Sequence, residues 1–127
     1  MRDRMKFRAW DKENKKYIYG VENGLQFYST VGNLRIMTLA EIEKSDKYEL
    51  EQCTGFKDKN GKLIYEGDII LFEEGSCEDD CWNDVVIFDN EKGVLRFKDS
   101  FYPISDGTVG VVNGNIHENS ALLRTDD

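Results

Sequence analysis

A single histidine, His117, is the chain's whole supply of imidazole, so any acid–base pair or triad of the histidine type hangs on that one ring. Asn115, Glu118 and Asn119 flank it, a setting that suits a structural or surface histidine, and no catalytic residue is assigned. Gly107, Gly110 and Gly114 have neither a strand-to-helix context nor a following Lys-Ser/Thr pair, which excludes a P-loop and a dinucleotide fingerprint. The sequence therefore reads as that of a non-enzyme.

The most unusual segment runs from Glu73 to Asp84 and joins a Cys77-x-x-x-Cys81 pair to six carboxylates. Zinc would need four ligands, mainly thiolate or imidazole, so Cys53 and His117 would have to come from elsewhere. A hard cation such as calcium could use the carboxylates, but their order does not match an EF-hand loop. A metal site, a redox-sensitive Cys77–Cys81 pair and a solvated acidic hairpin loop all stay open. The solvated loop is favoured, and neither metal nor cofactor is assigned. Three cysteines, an odd number in a chain large enough to need no staples, point away from a secreted disulfide framework and towards the cytoplasm.

Charge divides the chain. Residues Met1 to Glu66 hold 13 Lys+Arg and 11 Asp+Glu, whereas Gly67 to Asp127 hold 4 and 14, within a total of −8. Duplex DNA would be repelled by such a C-terminal half, because its affinity comes from cations that displace counterions from phosphate. The basic start is different: Arg2, Arg4, Lys6, Arg8, Lys12, Lys15 and Lys16 are interleaved with aromatic residues and could touch nucleic acid, although a solvated strand face is the simpler account. No apolar run approaches the ~18 residues of a membrane span, and no apolar segment follows Arg4 to act as a secretion signal.

The elements that must carry these residues are mostly strands. Met5, Phe7 and Ala9 alternate with Lys6, Arg8 and Trp10, the period of a strand with one buried face, and Asp11 to Asn14 turn it back into Tyr17-Ile18-Tyr19. Leu25 to Ser29 reads as another strand. Thr38 and Glu41 have the spacing of a capping box and open a short helix over Leu39 to Ser45. Tyr48 to Cys53 reads as a strand. Asn60-Gly61 then marks a type I′ hairpin turn before Leu63-Ile64-Tyr65. Gly67-Asp68 introduces the apolar run Ile69 to Phe72; strands follow at Val85 to Phe88, Val94 to Phe97, Val109 to Val112 and Asn115-Ile116, and Asn119 is placed to cap a last turn.

The predicted architecture is mainly β with one short helix. A region of β-hairpin and helix, 1–52, packs onto an SH3-like β-barrel region, 53–127, in one compact unit. Trp10, Tyr17, Tyr19, Tyr28, Trp82 and Tyr102 exceed what one small core readily hides; ordinary core packing is the simpler account of them, a residual patch would mark a binding surface, and self-association into a homo-oligomer is expected as its commonest use.

Three blocks carry a resemblance. Lys6-Phe7-Arg8-Ala9-Trp10-Asp11, then Gln52 with Thr54 to Lys62 and Ile64 to Ile69, and Gly114 to Asn119 are similar to the YopX family of small phage and prophage proteins. The segments Val21 to Lys47 and Glu73 to Asp84 depart from that pattern, and they include Cys77 and Cys81. The resemblance implies a phage-encoded, β-rich accessory protein without assigned catalytic residues. With the acidic half added, it implies a cytoplasmic module that binds a host or phage protein through a negative surface. The alternative is a nucleic-acid-binding module using the basic, aromatic N-terminal strand.

Overall fold

The computed structural model describes residues 5–73, 81–107 and 110–123, and divides the chain into two units, 1–53 and 54–127. Both are built from antiparallel strands, and the one α-helix among the described residues lies in the first. Among the described residues no helix is long and apolar enough to cross a membrane.

In the first unit β1 (Phe7–Asp11) is central, with β2 (Lys16–Tyr19) on one side and the opening residues of β5 (Tyr48–Lys57) on the other. Alternation gives β1 two different faces. Ala9 joins the buried cluster of Val21 and Ile42, against which Phe7, Ile18, Leu50 and Tyr48 pack. The expected solvated face is not found. Arg8 is 3% exposed; its Nε donates to Glu51 Oε1 at 2.8 Å and its guanidinium lies 3.9 Å above the centre of the Tyr17 ring. Trp10 is also buried and meets Tyr17 edge-on, with ring centres 5.0 Å apart. A cation with so complete a set of partners can be withdrawn from water, which an alternating pattern alone does not reveal.

The β1–β2 turn is organised by buried Asp11, whose Oδ1 accepts from the amides of Glu13 and Asn14 and whose Oδ2 accepts from the Asn14 side chain. A second hairpin pairs β3 (Leu25–Tyr28) with β4 (Leu34–Met37). The helix α1 (Leu39–Lys44) starts at the expected capping box: Thr38 Oγ1 accepts from the Glu41 amide, and Glu41 returns a carboxylate oxygen to the Thr38 amide at 3.0 Å. Its buried residue Ile42 anchors it in the core.

In the second unit the end of β5 lies beside β6 (Leu63–Tyr65). The turn between them falls at Asn60-Gly61 but is not type I′, because Gly61 takes positive φ (85°) and Asn60 does not. Buried Asp58 dictates the difference. Its Oδ1 accepts from the amides of Asn60 and Lys62, both at 2.8 Å, while the Gly61 amide donates to the Asp58 carbonyl. That leaves one left-handed residue, at glycine.

Three strands follow as a meander: β7 (Asp68–Glu73), β8 (Cys81–Asp89) and β9 (Val94–Phe97). Then β10 (Gly110–Asn115) returns beside β7, so the order is β10-β7-β8-β9, a Greek-key arrangement. Midway along β8 the pairing changes hands: Cys81 to Val85 face β7, and Val86 to Asp89 face β9. A strand shared in this way turns a corner, and the sheet curls into a half-barrel around Ile64, Ile70, Phe72, Val86 and Phe97. Of the expected acidic loop from Glu73 to Asp84, Glu73 belongs to β7 and Cys81 to Asp84 belong to β8, and the residues between lie outside the described ones. The pairing Phe72↔Trp82 and the burial of Asp84 draw Cys81 to Asp84 into the ladder. Asn119 does not cap the final turn with its side chain. Its Oδ1 accepts from the Asn115 amide at 3.1 Å and closes the bend that follows β10.

Candidate binding cleft

The second unit carries an open cleft of about 540 Å³ lined by Trp82, Asp99, Ser100, Phe101, Tyr102 and Pro103. Its floor begins in the core. Phe72 is fully buried and meets Phe97 edge to face, at 5.0 Å and 83°. The Trp82 ring stacks on Phe72 at 5.2 Å and 16°, and the Tyr102 ring lies 6.1 Å and 24° from that of Trp82. These near-parallel rings carry an aromatic surface from the hydrophobic core out to solvent.

The loop after β9 forms the wall and is held at both ends. Asp84, only 3% exposed, accepts through Oδ2 from the amides of Asp99 (3.1 Å) and Ser100 (2.6 Å), and through Oδ1 from that of Val85. The Trp82 indole N–H donates to Ser100 Oγ at 3.1 Å, which fixes the indole's tilt. Further on, Ile104 packs against the core, and Asp106 Oδ1 accepts from the Lys57 amide. Between these ties Phe101 stands out at 102% exposure, with Tyr102 at 39% and Pro103 also exposed. Asp99 places an exposed carboxyl at the rim. Such a cleft offers ring faces and a negative charge, and it spends the amides of residues 99 and 100 on its own architecture.

Of the aromatic residues singled out in the sequence, Trp82 and Tyr102 come together here, whereas Trp10 and Tyr17 are spent on the packing around Arg8. Asp99, Ser100, Phe101 and Pro103 were not picked out. Their one sequence signal is the chain's only proline beside two aromatic residues, in a stretch that does not alternate. His117 lies in the bend after β10, its amide donating to Asn115 Oδ1 at 3.0 Å. Cys53 is fully buried, Cys81 is exposed at the start of β8, and Cys77 lies outside the described residues, so the Cys77–Cys81 pair does too. Lys12, of the basic start, has its ammonium 3.9 Å from Glu49.

Among functionally curated proteins none matches the chain. Among solved structures the chain is similar to protein EF1440 from Enterococcus faecalis, with 26% identity, a TM-score of 0.62, and coverage of 94% of this chain and 97% of that one. The family model described as YopX protein matches residues 6–124. A match across nearly the whole length, through all three sequence blocks noted above, means that the chain belongs to the YopX family.

Proposed function

We propose that this YopX-family chain is a non-enzymatic phage or prophage accessory protein that binds a host or phage protein through its acidic C-terminal unit. The observation that carries the reading is the open aromatic cleft rimmed by Asp99, in a unit whose sequence from Gly67 onward holds 14 acidic and 4 basic residues. Aromatic rings supply contact area at low entropic cost, and the negative field steers a basic partner in while repelling nucleic acid. The rival, nucleic-acid binding by the N-terminal strand, is weakened because Arg8 and Trp10 are buried in their own sheet.

The test is capture of a defined partner by the tagged full chain at low and high salt, repeated with Asp99→Lys and Tyr102→Ala. Capture that weakens with salt and with both substitutions supports the reading. Capture indifferent to all three, or no partner at either salt, removes it.

Self-association belongs to the same reading. By register Tyr28, Leu34 and Ile36 share one face of the β3–β4 hairpin, exposed at 75%, 54% and 57%. That hairpin is a two-stranded sheet, and from Gly24 to Met37 its only charged residue is Arg35. In a chain of net charge −8 it is a segment where two copies can meet with little electrostatic opposition, and the occupant we assign to this face is a second copy.

A further inference from the structure

Resting on that protein-binding reading, we infer that the Trp82–Tyr102 cleft accepts an extended, proline-bearing peptide segment that carries a basic residue. The chemistry of the lining selects this ligand. Recognition by strand addition needs unspent amides and carbonyls along an edge, but the amides of Asp99 and Ser100 already donate to Asp84. With those donors spent the wall cannot complete a ladder, so a ligand in the cleft is held through its side chains and not through its backbone. Proline has no backbone N–H to strand, and its ring lays a flat hydrocarbon face on an aromatic one.

Such segments adopt the polyproline helix before binding, which lowers the ordering cost. Phe101, projecting fully into solvent beside Tyr102, supplies the second wall of that groove. Asp99 at the rim and the acidic balance of the unit select Lys or Arg next to the prolines. Unstacked nucleic-acid bases also prefer ring faces, but their phosphates would meet the same negative field.

The test is a fluorescence titration of the full-length chain carrying Trp10→Phe, so that Trp82 is the sole indole reporter. The probe is a peptide of about 12 residues with two prolines spaced by two residues and an arginine beside them. Controls are the same peptide with both prolines replaced by alanine and a single-stranded oligonucleotide. Saturable binding of the proline peptide is expected, weakened about tenfold by its alanine counterpart and by Tyr102→Ala, and severalfold by Asp99→Asn. Phe101→Ala, at a site with no packing role to lose, is expected to weaken it without altering the fold, and circular dichroism verifies that.

Equal affinity for the alanine peptide, unchanged binding by Phe101→Ala and Tyr102→Ala, or preference for the oligonucleotide overturns the inference. If the peptide fails to bind while a folded partner is captured in a Tyr102-dependent manner, the ligand class is wrong and the protein-binding reading stands. If both fail, both fall.

Discussion

The carboxylate of Asp84 holds the amide of Ser100 at 2.6 Å, across 16 residues of chain, and so ties a strand of the curled sheet to the loop that walls the aromatic cleft. The cleft is thus a product of the fold. Its shape depends on a buried acid whose oxygens serve backbone donors, and the ring stack from Phe72 through Trp82 depends on the core beneath it.

The buried pair in the first unit should be costly to break from one side. Glu51→Ala removes the carboxylate that meets the buried Arg8 guanidinium, and urea denaturation is expected to show a loss of about 3–5 kcal/mol. The double variant Arg8→Met/Glu51→Leu should recover most of it. A double variant no better than Glu51→Ala alone would show that packing around the pair, and not the loss of the ion pair, sets the cost.

Gly110 begins β10 where β7 crowds it. A Cβ there would run into Ile70 Cγ2 and come within 2.9 Å of the Leu71 carbonyl. Because the conflict involves backbone and a buried side chain, Gly110→Ala is expected to destabilise by about 1–3 kcal/mol in thermal or urea unfolding. Gly61→Ala has no such steric conflict and should be penalised only for its left-handed φ.

Acid should weaken the fold through identifiable carboxylates. At Asp89 the hydrogen bond from the Arg96 side chain, aided by the amides of Lys92 and Glu91, holds the carboxyl below its ordinary range. At Asp11 burial pushes the other way, but the Asn14 side chain, the amides of Asn14 and Glu13, and the Lys47 charge outweigh it, so the net direction is also down. A depressed folded-state pKa gives stability that is complete above the unfolded value and drains away as pH falls through the folded one. The melting temperature is therefore expected to hold near neutrality and fall below about pH 4, with a shallower fall in Asp89→Asn. An identical acid slope in that variant would show that Asp89 takes no part.

Sedimentation velocity tests the hairpin face. Leu34→Glu places a charge among Tyr28 and Ile36 at an exposed site, so it should shift the chain to monomer while changing its stability by less than about 0.5 kcal/mol. A wild-type chain that is already monomeric at high concentration, or an oligomer untouched by this change, contradicts the assignment.

What could be read from the sequence follows from how far apart the interacting residues lie. The Thr38–Glu41 box is a relation over three residues, and it formed as its spacing predicts. The turn at Asn60-Gly61 was placed correctly but mistyped, because Asp58 overrides the dipeptide's own preference by gripping the amides on both sides of Gly61. The start of β8 reads as loop because it closes the carboxylate-rich run from Glu73, and what recruits it is pairing with β7, Phe72 against Trp82 among others. Arg8 and Glu51 are 43 residues apart, and nothing in a strand's alternation says which buried acid a basic residue will find. The cleft was invisible for the same reason. Trp82 and Tyr102 are conspicuous singly, and contacts between distant residues make them neighbours: the loop amides on Asp84, the Trp82 indole on Ser100 and both rings on Phe72.

Amide chemical-shift mapping of the isotope-labelled full chain, during titration with the basic proline peptide, tests the central claim most directly. The account requires saturable shifts concentrated at Trp82 and residues 99–103, with the indole N–H of Trp82 among the largest. Shifts centred on the Phe7–Asp11 strand, or none at saturating peptide, would contradict it.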